Sequence, residues 1–176
     1  NTPGRIQVSV LGIPAYTQSF DRVERWKGSR LVNFHGVTTE NGKQTEMNGA
    51  AEGNQFTLRT PAGTIAAPAN VKPANPWSET VLNTDTIVTP DEGRVEKVTV
   101  SGGEAATVMI NGHSMEARHY RIQRPEGKRY EVWFDGEGVP VRFADISPNE
   151  TVTFNPSECQ GASVCLSLKG QSLARR

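Results

Sequence analysis

The chain has 176 residues, 19 basic and 19 acidic side chains and three histidines. That length can enclose a real hydrophobic core in one domain, or in one domain with a tail. The zero net charge argues against a protein built to hold nucleic acid, where a basic face supplies most of the affinity. No apolar run approaches the ~18 residues of a membrane span.

Taken in chain order, the dominant pattern has a period of two. Ile6, Val8 and Val10 alternate with Arg5, Gln7 and Ser9. A charged strand then ends at Trp26, before the turn Lys27-Gly28-Ser29. Between 31 and 37 the alternation is ambiguous, with apolar residues in both registers. That predicts sheet covered on both sides. Asn41-Gly42-Lys43 is the strongest hairpin signal, because Asn-Gly tolerates the positive φ angles of a type I′ turn. Phe56 and Leu58 face away from Gln55, Thr57 and Arg59, between turns at Glu52-Gly53-Asn54 and Pro61-Ala62-Gly63.

Residues 68–92 read as a crossover joining two halves of one sheet. Within it, Asn75 to Asn83 predicts a short helix, with Asn75 as N-cap, Pro76 at the first helical position and Glu79 in the first turn. Alternation resumes with Val98 and Val100. Ser101-Gly102-Gly103 is predicted as a turn, followed by Val108 and Ile110. Asn111-Gly112 is the next turn. Tyr120 and Ile122 then share one face, as do Tyr130, Val132 and Phe134, then Val139, Val141 and Phe143, then Val152 and Phe154. The turns between them are Pro125-Glu126-Gly127 and Asp135-Gly136-Glu137-Gly138. Strands separated by turns every ~8–12 residues predict an all-β meander with minor helix. The expected organisation is a single β domain over 1–154 and a tail over 155–176. The Val-Cys-Leu-Ser-Leu run of that tail has the character of one added edge strand.

Several segments together carry a resemblance. They are Leu11-Gly12-Ile13-Pro14-Ala15-Tyr16, Asn75-Pro76-Trp77 and Leu82-Asn83-Thr84, then Ala117-Arg118-His119-Tyr120-Arg121-Ile122. The hairpin from Glu131-Val132-Trp133-Phe134-Asp135-Gly136 to Val139-Pro140-Val141-Arg142-Phe143 completes the series. In this order they resemble an uncharacterised family of exported bacterial β-proteins. That family is distantly similar to the periplasmic half-barrel carriers of lipoprotein localisation. The resemblance implies export to the periplasm. It also implies a curved antiparallel sheet, a half-barrel or open barrel, wrapped around a short helical plug with a concave apolar face. It implies no catalytic residue and no cofactor. The family's usual hairpin before the segment matching Ile6 has little room here. The first strand is therefore expected to be an open edge that invites another chain.

Chemistry-bearing motifs are sparse. There is no G-x-S-x-G elbow, S-x-x-K or H-E-x-x-H, and no phosphate loop. His35, His113 and His119 are scattered. His119 is expected on a solvated strand face, where Arg118 and Arg121 disfavour its protonation. His113, Glu116 and His119 are too loose for a metal site, and a hairpin turn accounts for 135–138 without calcium. Cys159 and Cys165 could close a short disulfide loop if their Cα atoms lie within ~7 Å, or be two unrelated thiols of a tail. Trp133 lies opposite the Tyr130/Val132/Phe134 face, either covered by the crossover or open as a contact patch.

The expected function is that of an exported, non-catalytic binding protein, holding an apolar or lipid-like ligand or a protein surface. Trp77 is its expected lid, and Tyr120, Val132 and Phe134 its floor, although all four also suit ordinary core. The alternative is an accessory or structural subunit of an envelope or membrane-associated complex. A weaker alternative is a hydrolase with an unrecognised site. No nucleic-acid partner and no metal are expected.

Overall fold

The computed structural model describes residues 4–10, 13–75, 78–90, 92–110, 112–156 and 168–174, with side chains from Gln18 to Phe154. The protein is all-β. Strands β1 (Gly4–Val10), β2 (Ile13–Lys27), β3 (Arg30–Glu40), β4 (Lys43–Glu52), β5 (Gln55–Thr60) and β6 (Gly63–Pro68) pair in chain order as a six-stranded antiparallel meander. A small sheet follows, of β7 (Lys72–Pro73), β8 (Thr86–Thr89) and β9 (Arg94–Lys97), in which β7 and β8 run parallel. A second six-stranded antiparallel meander contains β10 (Thr99–Ile110), β11 (His113–Gln123), β12 (Arg129–Phe134), β13 (Pro140–Ile146), β14 (Glu150–Pro156) and β15 (Leu168–Ala174). Both meanders are open, and neither closes into a barrel.

The crossover therefore does not join two halves of one sheet, as the sequence led us to expect. The hydrogen-bonded ladder stops at β6 and a new one starts at β10. Contacts divide the chain into two compact units, 1–74 with 84–96, and 75–83 with 97–176. The expected helix is a 3-10 turn at Glu79–Asn83. It is tightened by i to i+3 bonds, Ser78 N to Asn75 O at 3.2 Å and Val81 N to Ser78 O at 3.3 Å. β-Branched Thr80 and Val81 weaken an α-helix this short, and Ser78 Oγ competes for the Thr80 N–H. Pro76 and Trp77 lie outside the described residues, as does the Cys159/Cys165 pair. Within the tail, β15 adds an edge strand to β14.

The first unit encloses a core of Leu31, Phe34, Met47, Phe56, Leu58, Ala67, Val71 and Val88, with Trp26 and Val95 against it. Alternation on β3 is ambiguous because a bulge resets it. Arg25 pairs Asn33 while Trp26 pairs Leu31, which leaves Val32 as the extra residue. Leu31 and Phe34 are thus both buried although three apart, whereas Asn33 and His35 are exposed. The expectation of cover on both faces is corrected accordingly: one face of β3 is core and the other is open. Lys72 fastens β7 to the β2–β3 turn by donating to the Ser29 carbonyl, with its ammonium 4.7 Å from the Trp26 ring centroid. Burial pushes its pKa below the ordinary value.

Asn41-Gly42 forms the expected turn, with φ of 46° and 83°. Ser101-Gly102-Gly103 does not turn. It lies inside β10, where the register shifts between Gly102 and Glu104 and both glycines have positive φ. This is a bulge in a long strand, the other structural use of a strand glycine.

Candidate functional site

The candidate site lies in the second unit, on the two faces of the β10–β15 sheet. Even-numbered residues of β12 point to one face, which collects five aromatic side chains from four strands. Tyr120 meets Phe134 edge-on at 6.3 Å, Tyr130 meets Phe143 at 5.4 Å, and Phe143 stacks on Phe154 at 5.5 Å. Three of the four expected ligand contacts are therefore together. Tyr120 pairs Val132 across β11 and β12, and Phe134 sits one turn of the pleat beyond. Val132 and Phe134 are 0% and 1% exposed, while Tyr120 is half-buried. The first two already pack inside this chain, and Tyr120 is the accessible member of the trio. Trp77, the expected lid, falls outside the described residues.

The opposite face is not the plain solvated surface expected around His119. The imidazole is 12% exposed and stacks on Trp133, with centroids 4.3 Å apart and planes within 5°. Nε2 lies 3.2 Å from Glu131 Oε2, and Nδ1 lies 3.2 Å from an Arg121 guanidinium nitrogen. A guanidinium only donates and a carboxylate only accepts, so Nδ1 faces a donor in Arg121 and Nε2 an acceptor in Glu131. Arg121 also donates to Glu104 at 2.6 Å, and Arg129 Nε donates to Glu131 at 2.8 Å. The Glu104 carboxyl is held below its ordinary pKa, first by its own backbone N–H and then by Arg121. Trp133 is the hinge of the face. Arg142 lies over its ring at 5.6 Å, and it packs against the cluster of Val108, Ala117 and Val141. It is covered by its own sheet's side chains rather than left open.

The sequence carried a signal for the His119–Trp133 pair. A hairpin centred on Glu126 places residue 119 opposite 133, the register observed. The Pro125-Glu126-Gly127 turn marks the hairpin, and the pairing counted through it brings the two rings together.

Asp135 Oδ1 accepts the N–H groups of Glu137 and Val139, both at 2.9 Å, which makes 135–138 the expected turn. His35 Nδ1 lies 2.9 Å from Asn48 Oδ1. Among the described residues no group of three His, Cys, Asp or Glu side chains is placed to hold a metal ion, and no helix is long and apolar enough to cross a membrane.

No curated protein and no solved structure matches the chain. Residues 2–157, which carry all but one strand of the fold just described, match the family model for a domain of unknown function, DUF6134, and the chain belongs to that family.

Proposed function

We propose that the protein is an exported, non-catalytic binding protein of the cell envelope that holds an apolar, lipid-like ligand against its second sheet. The observation that carries this reading is the aromatic row of Tyr120, Phe134, Tyr130, Phe143 and Phe154 on one face of an open meander. Tyr130, Phe134, Phe143 and Phe154 are already buried and Tyr120 is half-buried, so a guest gains apolar burial, at ~25 cal/mol per Å², at the Tyr120 end of the row. It offers few polar groups beyond the two tyrosine hydroxyls to orient a guest. Tyr120 is the point of entry, Val132 and Phe134 are the floor, and Trp77 is the lid. Export rests on the sequence resemblance to periplasmic half-barrel carriers.

A second reading is an accessory subunit of an envelope complex. It draws on the tip of the β10–β11 hairpin, where Met109 and Met115 are 56% and 39% exposed. β10 is also an edge strand of its sheet, and methionine adapts readily to a partner's surface.

Native mass spectrometry of the protein purified from its source separates the two. Co-purifying lipid supports the carrier, and a stoichiometric second chain supports the subunit. A homogeneous ligand-free monomer counts against both. For the carrier, Tyr120→Ala is expected to weaken binding of a fluorescent fatty acid about ten-fold, the scale of one buried aromatic contact. Unchanged affinity in Trp77→Ala would remove the lid.

A further inference from the structure

We propose that the solvent face of the first sheet carries a separate groove for a small, elongated molecule with an anionic group at each end, a linear dicarboxylate being the simplest case. Arg25 and Arg59 hold the two ends. The register places them at opposite corners of a rectangle of side chains. One row crosses the sheet as Arg25, Asn33, Ala50 and Thr57, and the neighbouring row as Val23, His35, Asn48 and Arg59. β2 and β5 are three strand spacings apart and the two rows two residues apart, so the two arginine backbones stand roughly 16 Å apart along the diagonal. Between them lies a cavity of about 510 Å³, within the range of small-molecule sites. Its middle is lined by short side chains, Asn33, Asn48 and Ala50.

Hydrogen-bonding capacity points to the ends of the groove. Asn48 is engaged by His35 and donates to Glu46 at 3.0 Å, and Thr57 donates to Glu52 at 2.9 Å. Arg25 and Arg59 have no hydrogen-bond or ion-pair partner among the described residues. A free guanidinium is a planar fork of donors suited to bidentate capture of a carboxylate. The nearby acids are already engaged, Glu52 by Thr57 and Glu46 by Asn48, which leaves the two guanidinium groups as the open charged groups of the groove. This groove shares no residue with the aromatic face of the second sheet and stands or falls apart from it.

Isothermal titration of the intact chain at low salt tests the inference, with succinate, adipate, suberate and sebacate as probes and octanoate as the single-ended control. The expected result is saturable binding that peaks at one chain length, about ten-fold tighter than octanoate. Arg25→Gln and Arg59→Gln should each reduce the best diacid to the level of the monoacid. Both side chains are exposed, so the thermal midpoint should stay near that of the unmodified protein. No saturable binding, affinity flat with chain length, or variants that bind like the parent would overturn the proposal. Chain-length dependence in the unmodified protein decides the matter even if a variant folds poorly.

Discussion

Gly49 on β4 shows how tightly single positions are specified. A Cβ placed there would meet the Phe56 ring, with Cζ at 2.7 Å, and Leu58 Cδ2 at 3.0 Å. Its backbone is not left-handed, so the demand is for space alone. Gly49→Ala is expected to cost about 1–3 kcal/mol through overpacking, read as a lower urea midpoint. Glu24 is a residue in an awkward place. It shares the face of β2 that pairs toward Phe34, its Oε2 accepts from Trp26 Nε1 at 3.1 Å, and its Oε1 is buried without a partner. Burial raises its pKa above the ordinary 4.5, more than the Trp26 bond and Arg22 lower it. A raised carboxyl means the folded state binds more proton than the unfolded one just above pH 4.5, so stability falls as pH rises through that window. Glu24→Gln should remove that descent and stabilise the protein at pH 7 by about 1 kcal/mol, because a neutral amide is cheaper to bury than a carboxylate. Urea midpoints at pH 4.5 and 7 check both parts. Phe56, Leu58 and Val132 were legible as core from alternation alone. The environment of Glu24 was not, because it depends on which strand lies beside it.

At the scale of elements, turn chemistry was the most readable layer and bulges the least. Asn41-Gly42 announces its hairpin because those residues tolerate the required φ. Ser101-Gly102-Gly103 is equally rich in turn-forming residues, yet sits mid-strand. A Cβ on Gly102 would approach the His119 carbonyl at 2.5 Å, at a φ of +110°. Gly102→Ala is therefore expected to cost more than about 1 kcal/mol, with loss of amide-exchange protection concentrated in β10 and β11. β4 was hard to see for a different reason. Its only fully buried side chain is Met47, so a strand rich in Gln, Glu, Asn and Ala offers no period to detect. The site inherits these difficulties. Tyr120, Val132 and Phe134 were found because they alternate. The His119 cluster and the arginine groove need register, which local composition does not encode.

For the whole molecule, the class and the consecutive hairpins followed from sequence, while the division into two meanders did not. Alternation says that a strand is half-buried, not which neighbour completes its ladder. Each unit has its own set of buried side chains, Leu58 and Phe56 in one, Val132 and Phe134 in the other. Val132→Ala is expected to cost about 2–3 kcal/mol through the cavity it leaves in the second unit. Denaturant titration of the variant beside the parent measures it.

The parallel pairing of Lys72 with Ile87 and of Pro73 with Val88 bears on the order of assembly. Every ladder of the two large meanders except β14–β15 spans a short reversal, so it can zip from a local nucleus on the microsecond scale of hairpins. β7 and β8 have no such shortcut. The chain must leave, complete the 3-10 turn and come back before a single bond of that ladder forms, and the entropy of closing that excursion comes due first. The small sheet is thus the natural last step, a clasp that sets after the meanders have formed. Pulse-labelling amide exchange during refolding should find the Ala74 N–H, bonded to the Val88 carbonyl at 2.7 Å, protected later than those of β3 and β4.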